Sequence, residues 1–497
     1  MKFFTKVDPA FYVAKDKHLT QSLGVKDFLA LGVGTIISTS IFTLPGTVAA
    51  NYAGPSIIFS YLIAAFVAGM VAFAYSEMAT VMPFAGSAYS WISVLFGEGW
   101  GWIAGWALLA EYFVAVAFVG AGFSATFQAI LQQQHILLPR NLRIPLVAYD
   151  SSNNLVRGGL VDVIALVIVV IAALIVWRGA SDAGKVSQVL VVLKVIAILV
   201  FIGVGTYFII SHKTWSNYVP FIPQHKVGTS FGGFSGIWSG VSVIFLAYIG
   251  FDSIAANSGE AINPKKTMPR GILGSLLIAV FLFSMVTMVL VGMVPYVKFA
   301  NQAAPVSFAL TQVGFGGISL IVSLVADAGM FIALLGMILA GSRLLYSFGR
   351  DGMLPASLGK LNKKGHPTNA VILLTVITAL VSAFLPFTFL SQLISAGTLI
   401  AFMFVSVAMF SLRKREGKTL PLPSYKVPFY PVLPVLGFVG CLFVFLGLQT
   451  DAKIYAGLWF LLGIAIYFAY GRSHSLSKTS DQINGVNSII TEESLAN

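Results

Sequence analysis

Cysteine and charge are the two features that this sequence has least of. Its 497 residues include a single cysteine, Cys441. One cysteine excludes an internal disulfide and a cluster of thiolate metal ligands. Charged residues make up 10% of the chain, whereas soluble domains carry about 25%. A chain this poor in charge does not have the composition of a soluble protein.

Groups that bind metals or perform covalent catalysis are also scarce. The six histidines lie mainly outside the apolar segments and show no metal-ligand spacing. Gly32-x-Gly34 is not a nucleotide fingerprint, because no strand precedes it and no soluble βαβ unit follows. We therefore expect no catalytic residue, no metal site and no cofactor. An enzyme embedded in the membrane is the least favoured class of function.

Long apolar segments dominate the chain instead. Hydrophobic residues make up 57% of the sequence, and runs of roughly 20 apolar residues are long enough to cross a bilayer. They predict an all-α polytopic membrane protein with twelve transmembrane helices. The predicted spans are 27–50, 56–80, 101–131, 160–177, 186–210, 233–257, 271–294, 317–347, 370–386, 389–412, 431–449 and 453–470.

The positive charge is distributed unevenly between the two sides of these spans. The formal net charge is +12. If the N-terminus is cytoplasmic, most of the 30 Lys and Arg residues lie on the cytoplasmic side, as the positive-inside rule requires. The excess charge then contacts anionic lipid headgroups rather than nucleic acid. This predicts a multi-pass protein of the bacterial cell membrane with both termini cytoplasmic, as a monomer or weak homo-oligomer.

The first span contains small and hydroxylated residues where a lipid-facing helix would carry Leu or Phe. The stretch is Gly32–Phe42, and it includes Ser38, Thr39 and Ser40 in succession. Irregular backbone at membrane depth persists only where it is buried in protein or lines a cavity. One interpretation is a broken helix at a binding site. The alternative is close helix–helix packing through small residues.

A second candidate break lies in span 6, where Gly250 precedes Asp252 near mid-membrane. Spans 1 and 6 each begin a set of five spans. Because five is odd, the second set crosses the membrane in the opposite sense to the first. Inverted repeats with interrupted helices in matching positions are typical of secondary transporters. The predicted divisions are a cytoplasmic N-terminal segment (1–26), a first repeat (27–212), a second repeat (213–412), spans 11 and 12 (413–471) and a disordered cytoplasmic tail (472–497).

The two breaks expose complementary backbone groups. A broken helix has unpaired amides at one new end and unpaired carbonyls at the other. The amides near Thr39–Ile41 suit a carboxylate, with added hydroxyls from Ser38, Thr39 and Ser40, and the carbonyls near Leu246–Ala247 suit an ammonium group. Two such breaks facing each other form a receptor for a zwitterion, such as a free α-amino acid.

Lys194 is the most unusual ionisable residue within a predicted span. It lies about 13 Å along the helix from Lys185, close to the middle of a hydrocarbon core of ~30 Å. Burial disfavours a charged amine, so Lys194 is a candidate to gain and lose a proton during transport. Its charge could also take the place of a sodium ion and link span 5 to span 1. The alternative is that it snorkels to the membrane interface.

Three carboxylates also lie within predicted spans, and each is a functional hypothesis. Glu111 is a candidate for proton coupling or a structural hydrogen-bond partner. Asp252 is interpreted first as the cap of the inner half of span 6, with direct substrate contact as the alternative. Asp327 is a candidate second proton site. Glu77, near the cytoplasmic end of span 2, is interpreted as structural.

These motifs resemble the amino acid–polyamine–organocation superfamily, and within it the bacterial relatives of the cationic amino acid transporters. The two stretches Phe28–Phe42 and Ser391–Thr398 resemble most the branched-chain amino acid permeases of lactic acid bacteria. The remaining similar stretches are Pro83–Tyr89, Gly97–Glu98, Gly105–Trp106, Glu111–Tyr112, Ala247–Asp252, Glu260, Asn263–Pro264, Pro269–Gly271 and Arg350–Pro355.

The resemblance implies a LeuT-type fold of five plus five inverted spans, with two extra spans. It implies that Lys194 matches the lysine that takes the place of a sodium ion in proton-coupled members. Many members have glycines where this chain has Ser38 and Ser40, and an aromatic gate residue where it has Leu246. The identity of the substrate side chain depends on these two departures from the family pattern. The backbone implied to hold the substrate's amino and carboxyl groups belongs to Ile36, Ile37, Thr39, Ser40, Leu246, Ala247 and Ile249.

The predicted function is secondary active import of neutral, mainly branched-chain amino acids by proton symport with alternating access. Leucine, isoleucine and valine are the predicted substrates, with methionine and cysteine as further candidates, and the proton gradient drives uptake. One alternative is a cationic amino acid transporter or exchanger, with Glu111 meeting the basic end of the substrate. A second is an amino acid receptor that signals without transport.

Overall fold

A computed structural model describes residues 2–10, 12, 23–84, 86–149, 155–178, 183–300, 302, 304–362 and 366–475. Much of the predicted cytoplasmic segment 1–26 lies outside the described residues. The predicted tail lies outside them from residue 476 onward. Within the described part the chain is helical, apart from irregular connections and one short hairpin.

In the first half of the chain, two short helices precede the first long helix. They are α1 (Val25–Ile36), α2 (Ser40–Val48), α3 (Ile57–Val81), α4 (Ala88–Leu95), α5 (Glu98–Gln133), α6 (Arg140–Arg143), α7 (Val163–Arg178) and α8 (Ala183–His212). Strands β1 (Val147–Tyr149) and β2 (Leu155–Arg157) pair antiparallel in the loop between α6 and α7, with Val147 opposite Arg157.

The second half begins with another pair of short helices. Its helices are α9 (Gly233–Ile244), α10 (Phe251–Ala256), α11 (Pro264–Met293), α12 (Pro305–Gln312), α13 (Gly316–Arg350), α14 (Thr368–Phe384), α15 (Phe387–Arg415), α16 (Val432–Leu446), α17 (Thr450–Ile466) and α18 (Arg472–His474). The 3-10 segments are Lys2–Phe4, Gly54–Ser56, Thr214–Tyr218, Phe245–Tyr248, Ser258–Glu260 and Tyr296–Phe299, and the π-helical turns are Ala49–Ala53 and Tyr467–Gly471.

Each of the predicted apolar segments overlaps a helix of the structure. Eight helical stretches within the described residues are long and apolar enough to cross a membrane, which makes this a multi-pass membrane protein. They are Val25–Val81, Glu98–Gln133, Val189–His212, Gly233–Ala256, Pro264–Met293, Gly316–Arg350, Phe389–Arg415 and Thr450–His474. The shorter apolar helices are Val163–Arg178, Thr368–Phe384 and Val432–Leu446.

The centre of the bundle is formed by α5, which packs along α13 and α15. Next to it, α11 packs against α3 and α1. Glu111 lies on α5 and is fully buried. The interrupted pairs α1–α2 and α9–α10 therefore lie among long buried helices, where irregular backbone can be shielded from lipid.

The connection between α3 and α5 differs from its prediction. Its aromatic, amphipathic pattern over Pro83–Glu98 predicts a helix lying in the membrane interface. A helix does form there, but every residue of α4 is buried. The N-terminal segment covers it, because the Val7 amide donates to the Ser93 carbonyl and the Glu98 amide donates to the Thr5 carbonyl. The interfacial prediction is wrong because the N-terminal segment supplies this cover.

Candidate functional site

The first interruption separates α1 from α2. The Ser38 amide donates to the Ile36 carbonyl at 2.9 Å rather than to Gly34, so the helical ladder stops. Ile37 adopts φ −82° and ψ 70°, outside helical geometry. Among the described residues, the amides of Thr39, Ser40 and Ile41 have no hydrogen-bond partner. They form the start of a helix, where the dipole favours negative charge.

The hydroxyl groups at this interruption are buried and only partly used. Ser38 is 8% exposed, whereas Thr39 and Ser40 are almost wholly buried. In the described part of the chain, Thr39 Oγ1 and Ser40 Oγ have no hydrogen-bond partner. Buried hydroxyls without partners are costly in a folded protein. These two groups can donate to an acceptor that enters the interruption.

The second interruption separates α9 from α10. The chain passes through the 3-10 turn Phe245–Tyr248, and Ile249 is extended with ψ 140°. Gly250 then adopts φ 127°, a conformation that side-chain-bearing residues rarely adopt. Within the described residues, the carbonyls of Ala247, Tyr248 and Ile249 accept no hydrogen bond from a backbone amide. Leu246, Ala247 and Ile249 are all buried.

The two interruptions contact each other. A Cβ on Gly250 would lie 3.1 Å from the Ile36 amide nitrogen and 3.2 Å from the Thr35 carbonyl carbon. Thr35 Oγ1 lies 3.3 Å from the Gly250 carbonyl oxygen and 2.8 Å from that of Leu31. The close approach needs glycine at position 250. The tertiary structure therefore places the end of α1, at Thr35 and Ile36, against Gly250 of the second interruption.

Lys194 lies on α8 and reaches into the first interruption. Its Nζ donates to the Ile37 carbonyl at 2.7 Å and to the Gly34 carbonyl at 3.1 Å. The side chain is fully buried, so the snorkelling alternative is wrong. Gly34 and Ile37 are the residues whose carbonyls lose their helical partners where α1 ends. The ammonium group replaces those partners and joins α8 to α1.

Gly329 on α13 makes room for this lysine. A Cβ at Gly329 would lie 2.2 Å from Lys194 Cε. Neither Gly329 nor the bridging role of Thr35 was predicted from the sequence. Gly329 carries no local signal, because its importance comes from a side chain that lies far away in sequence. Thr35 lies inside the stretch Gly32–Phe42, and its hydroxyl group was the feature from which this role could have been predicted.

Asp252 joins the second interruption to α5. Asp252 Oδ1 accepts the Gly250 amide at 3.1 Å. Gly250 itself occupies the N-cap position of α10, so Asp252 lies in the first turn of this helix and not at its cap as expected. Asp252 Oδ2 accepts the Tyr112 hydroxyl at 3.2 Å. Glu111, the neighbour of Tyr112, is fully buried, and neither of its carboxylate oxygens has a hydrogen-bond partner among the described residues.

Asp327 lies on α13, the helix that also carries Gly329. It is 5% exposed, and the described residues provide no hydrogen-bond partner for either carboxylate oxygen. Glu77, by contrast, forms a salt bridge with Arg413 at the cytoplasmic end of α3. It accepts hydrogen bonds from Arg413 at 2.8 Å and from the Val427 amide at 2.6 Å, which supports its structural interpretation.

The described residues contain no group of His, Cys, Asp and Glu side chains that could hold a metal ion. The chemistry of the interruptions is therefore that of backbone dipoles, hydroxyl groups and one ammonium group. Such a site can bind both ends of a small zwitterion without using an ionised side chain for either end.

Comparison with known proteins gives consistent results. The amino acid permease family model matches residues 23–470. A branched-chain amino acid permease from Lactococcus lactis is 64% identical over 95% of this chain and 99% of its own length. A branched-chain amino acid permease from Bacillus subtilis is 35% identical over 93% of this chain and 95% of its own. Cationic amino acid transporter 4 of Arabidopsis thaliana is 31% identical over 84% of this chain and 68% of its own. The chain belongs to the amino acid permease family of the amino acid–polyamine–organocation superfamily, whose relatives named here are transporters rather than enzymes.

Proposed function

We propose that this protein imports neutral, mainly branched-chain amino acids by proton symport with alternating access. The substrates are leucine, isoleucine and valine, with methionine and cysteine as further candidates. Two relatives, 64% and 35% identical to this chain, are named as branched-chain amino acid permeases, which supports the substrate class. The proton gradient supplies the energy for uptake.

The observation that carries the proposal is the contact between the two interruptions. The substrate carboxylate binds the unpartnered amides of Thr39, Ser40 and Ile41, with the hydroxyls of Ser38, Thr39 and Ser40 beside them. The substrate ammonium binds the carbonyls of Leu246, Ala247 and Ile249. Ile36 and Ile37 complete the backbone of the site. Apart from the Leu246 carbonyl, which accepts the Ile249 amide at 3.2 Å, the backbone groups that hold the two ends of the α-amino acid are ones that the fold leaves without backbone partners among the described residues.

Lys194 is the proposed proton-coupling residue. When charged, it holds the carbonyls of Gly34 and Ile37 and fixes α1 against α8. A neutral amine makes weaker hydrogen bonds, since charge-assisted bonds are roughly twice as strong. Loss of the proton therefore loosens α1 and permits the change of access. Asp327 and Glu111, two buried carboxylates without hydrogen-bond partners, are the candidates to deliver or receive that proton.

The proposed topology is twelve membrane crossings in a LeuT-type arrangement. Residues 27–212 form the first inverted repeat and 213–412 the second, so that the two interrupted helices occupy matching positions. Residues 413–471 add two crossings. Both termini are cytoplasmic, and the cell membrane is that of a bacterium. The lysines and arginines on the cytoplasmic side support this orientation.

Uptake by purified protein in proteoliposomes tests the function directly. We expect labelled leucine to accumulate when the outside is more acidic than the inside, and excess isoleucine or valine to compete. Leucine uptake that is indifferent to the imposed pH gradient would argue against proton coupling. A thermal-shift screen with the twenty amino acids, in which the branched-chain members stabilise most, tests the substrate class independently.

A second candidate function is transport or exchange of cationic amino acids. Glu111 favours it, because an unpartnered buried carboxylate can meet a basic side chain. The distant relatives named as cationic amino acid transporters point the same way. Competition decides between the candidates. Inhibition of leucine uptake by arginine but not by valine supports the cationic function, and the reverse pattern supports the branched-chain function.

A further inference from the structure

The loop between α5 and α7 concentrates positive charge on the side that is the outer one in the proposed topology. The lysines and arginines on that side are Arg140, Arg143, Arg157, Lys213, Lys226, Lys298 and Lys453. The three arginines all belong to this single loop. The positive-inside rule leaves outer loops poor in basic residues, so setting the topology does not require this group. Its presence indicates an interaction with negative charge.

Two of the three arginines line one cavity of about 420 Å³. The lining consists of Arg140, Asn141, Arg157, Gly158, Gly159 and Leu160 and includes no acidic side chain among these described residues. Arg140 and Arg157 are exposed, and neither side chain forms a hydrogen bond or an ion pair with a group in the described part of the chain. A cavity lined by two cations and no anion attracts a negatively charged ligand.

Backbone contacts hold the two arginines close to each other. The Leu160 amide donates to the Asn141 carbonyl at 3.1 Å. A Cβ on Gly159 would lie 2.9 Å from the Arg140 carbonyl oxygen. Arg157 precedes Gly159 by two residues, which span at most about 7 Å of extended chain. Both guanidinium groups can therefore reach one anion in the cavity.

The loop that forms the cavity is fastened to itself and to the helix bundle. The Gly158 amide donates to the Leu146 carbonyl at 2.9 Å, next to the pairing of β1 with β2. Gln128 on α5 donates to the Arg143 carbonyl at 3.1 Å. Ordered backbone therefore presents the arginines, which reduces the entropy that a ligand loses by ordering the loop.

Exposed apolar side chains lie beside the cavity and continue along α7. Those of the loop are Leu142, Leu146, Val156 and Leu160. On α7, Val167, Ile171 and Leu174 are exposed, and their spacing of four and three residues places them on one face of the helix. This face extends for about 10 Å from Val167 to Leu174. The cavity therefore lies at the end of a surface that faces the acyl chains of the bilayer.

We propose that this cavity binds the phosphate group of an anionic phospholipid in the outer leaflet. Arg140 and Arg157 contact the phosphate oxygens, and an acyl chain lies along the exposed face of α7. Guanidinium groups suit phosphate because their forks match pairs of its oxygens. The bilayer already holds a phospholipid beside the cavity, which gives it a higher effective concentration than a soluble anion has.

The proposed site does not depend on which amino acid the protein transports. A ligand that binds the folded protein and not the unfolded chain raises the melting temperature. Because both arginines are exposed, salt should screen the attraction and weaken binding. These two properties allow the site to be measured without a transport assay, so its failure is distinguishable from failure of the proposed function.

Thermal unfolding of the delipidated full-length protein with added lipid tests the proposal. We expect dioleoylphosphatidylglycerol to raise the melting temperature of wild type more than dioleoylphosphatidylcholine does. The double variant Arg140→Gln/Arg157→Gln should bind phosphatidylglycerol about tenfold more weakly, as expected for losing hydrogen bonds to charged groups. Lys213→Gln/Lys298→Gln is the matched control, because it removes two exposed outer cations that do not line the cavity. It should retain wild-type affinity.

Native mass spectrometry then counts the lipids that remain bound to each chain. We expect the double arginine variant to retain one phosphatidylglycerol fewer than wild type and the matched control. Equal affinity and an equal lipid count in wild type and the arginine variant would overturn the proposal. A rise in melting temperature with inorganic phosphate as large as that with phosphatidylglycerol would also overturn it, since the site would then bind a soluble anion. Unfolding without lipid shows that each variant is folded.

Discussion

Replacing Lys194 by methionine should uncouple transport from the proton gradient. Methionine has similar length and fills the space beside Gly329, but it donates no hydrogen bond and carries no charge. The two carbonyls that Lys194 contacts, at 2.7 and 3.1 Å, then lose their donor. The contact between α1 and α8 would no longer depend on protonation. Charge-assisted hydrogen bonds contribute about 1.5–3 kcal/mol each, so the link contributes about 3–6 kcal/mol.

Deprotonation of the wild-type lysine removes roughly half of this link. A loss of about 1.5–3 kcal/mol shifts an equilibrium between two conformations by about 10- to 150-fold. That range is large enough for protonation to control access to the site. Methionine eliminates the dependence altogether. Burying methionine instead of an ammonium group also avoids a desolvation cost, so the variant should still fold.

Leucine accumulation in proteoliposomes measures the effect. With one proton per leucine, an imposed difference of one pH unit supports about tenfold accumulation in wild type. We expect no accumulation by Lys194→Met, while exchange of internal for external leucine persists and reports a folded binding site. Lys298→Met, which changes an exposed lysine, should behave as wild type. Tenfold accumulation by Lys194→Met would refute the role assigned to this lysine.

Three other perturbations have outcomes that the structure determines. Gly250→Val places a side chain on a backbone position with φ 127° and against α1. We therefore expect the variant to lose the thermal stabilisation that leucine gives to wild type. A leucine-induced rise in melting temperature equal to that of wild type would contradict the proposed contact between the interruptions. Arg413→Met leaves the buried Glu77 carboxylate without its salt-bridge partner and should lower the free energy of unfolding by about 3–5 kcal/mol. Lys426→Met removes a salt bridge in which the lysine is 56% exposed and should lower it by at most about 1 kcal/mol. Equal melting temperatures for the two variants would contradict this difference. Burial alone would raise the pKa of Glu416, but hydrogen bonds from Arg413 and Lys426 hold its pKa below the usual value. Its stabilising contribution is therefore present above the unfolded pKa and lost as the pH falls through the lowered folded pKa, and Glu416→Gln should melt with a shallower acid dependence than wild type.

The order of helices follows closely from the sequence because the membrane imposes simple rules. A crossing needs a long apolar run, and its backbone must satisfy its own hydrogen bonds. The predicted spans 56–80 and 101–131 correspond to α3 (Ile57–Val81) and α5 (Glu98–Gln133). The same rules locate the interruptions, since Ser38–Ser40 and Gly250 are unusual residues for a lipid-facing helix.

Some features had no local signature. The hairpin of β1 and β2 has only three residues in each strand, too few for an alternating pattern to identify it. The burial of α4 depends on the N-terminal segment that covers it, so its aromatic pattern alone suggested an interfacial helix.

The sequence by itself determined the class of protein and the approximate positions of its helices, and it indicated two candidate breaks, because these properties depend on residues close together in the chain. The tertiary structure decided which groups meet at the breaks. Lys194 and Gly34 are 160 positions apart, and Thr35 and Gly250 are 215 apart. No local pattern specifies such pairs, since they depend on how long helices pack. Packing also decided that Lys194 bonds to the backbone of α1 instead of reaching the membrane interface.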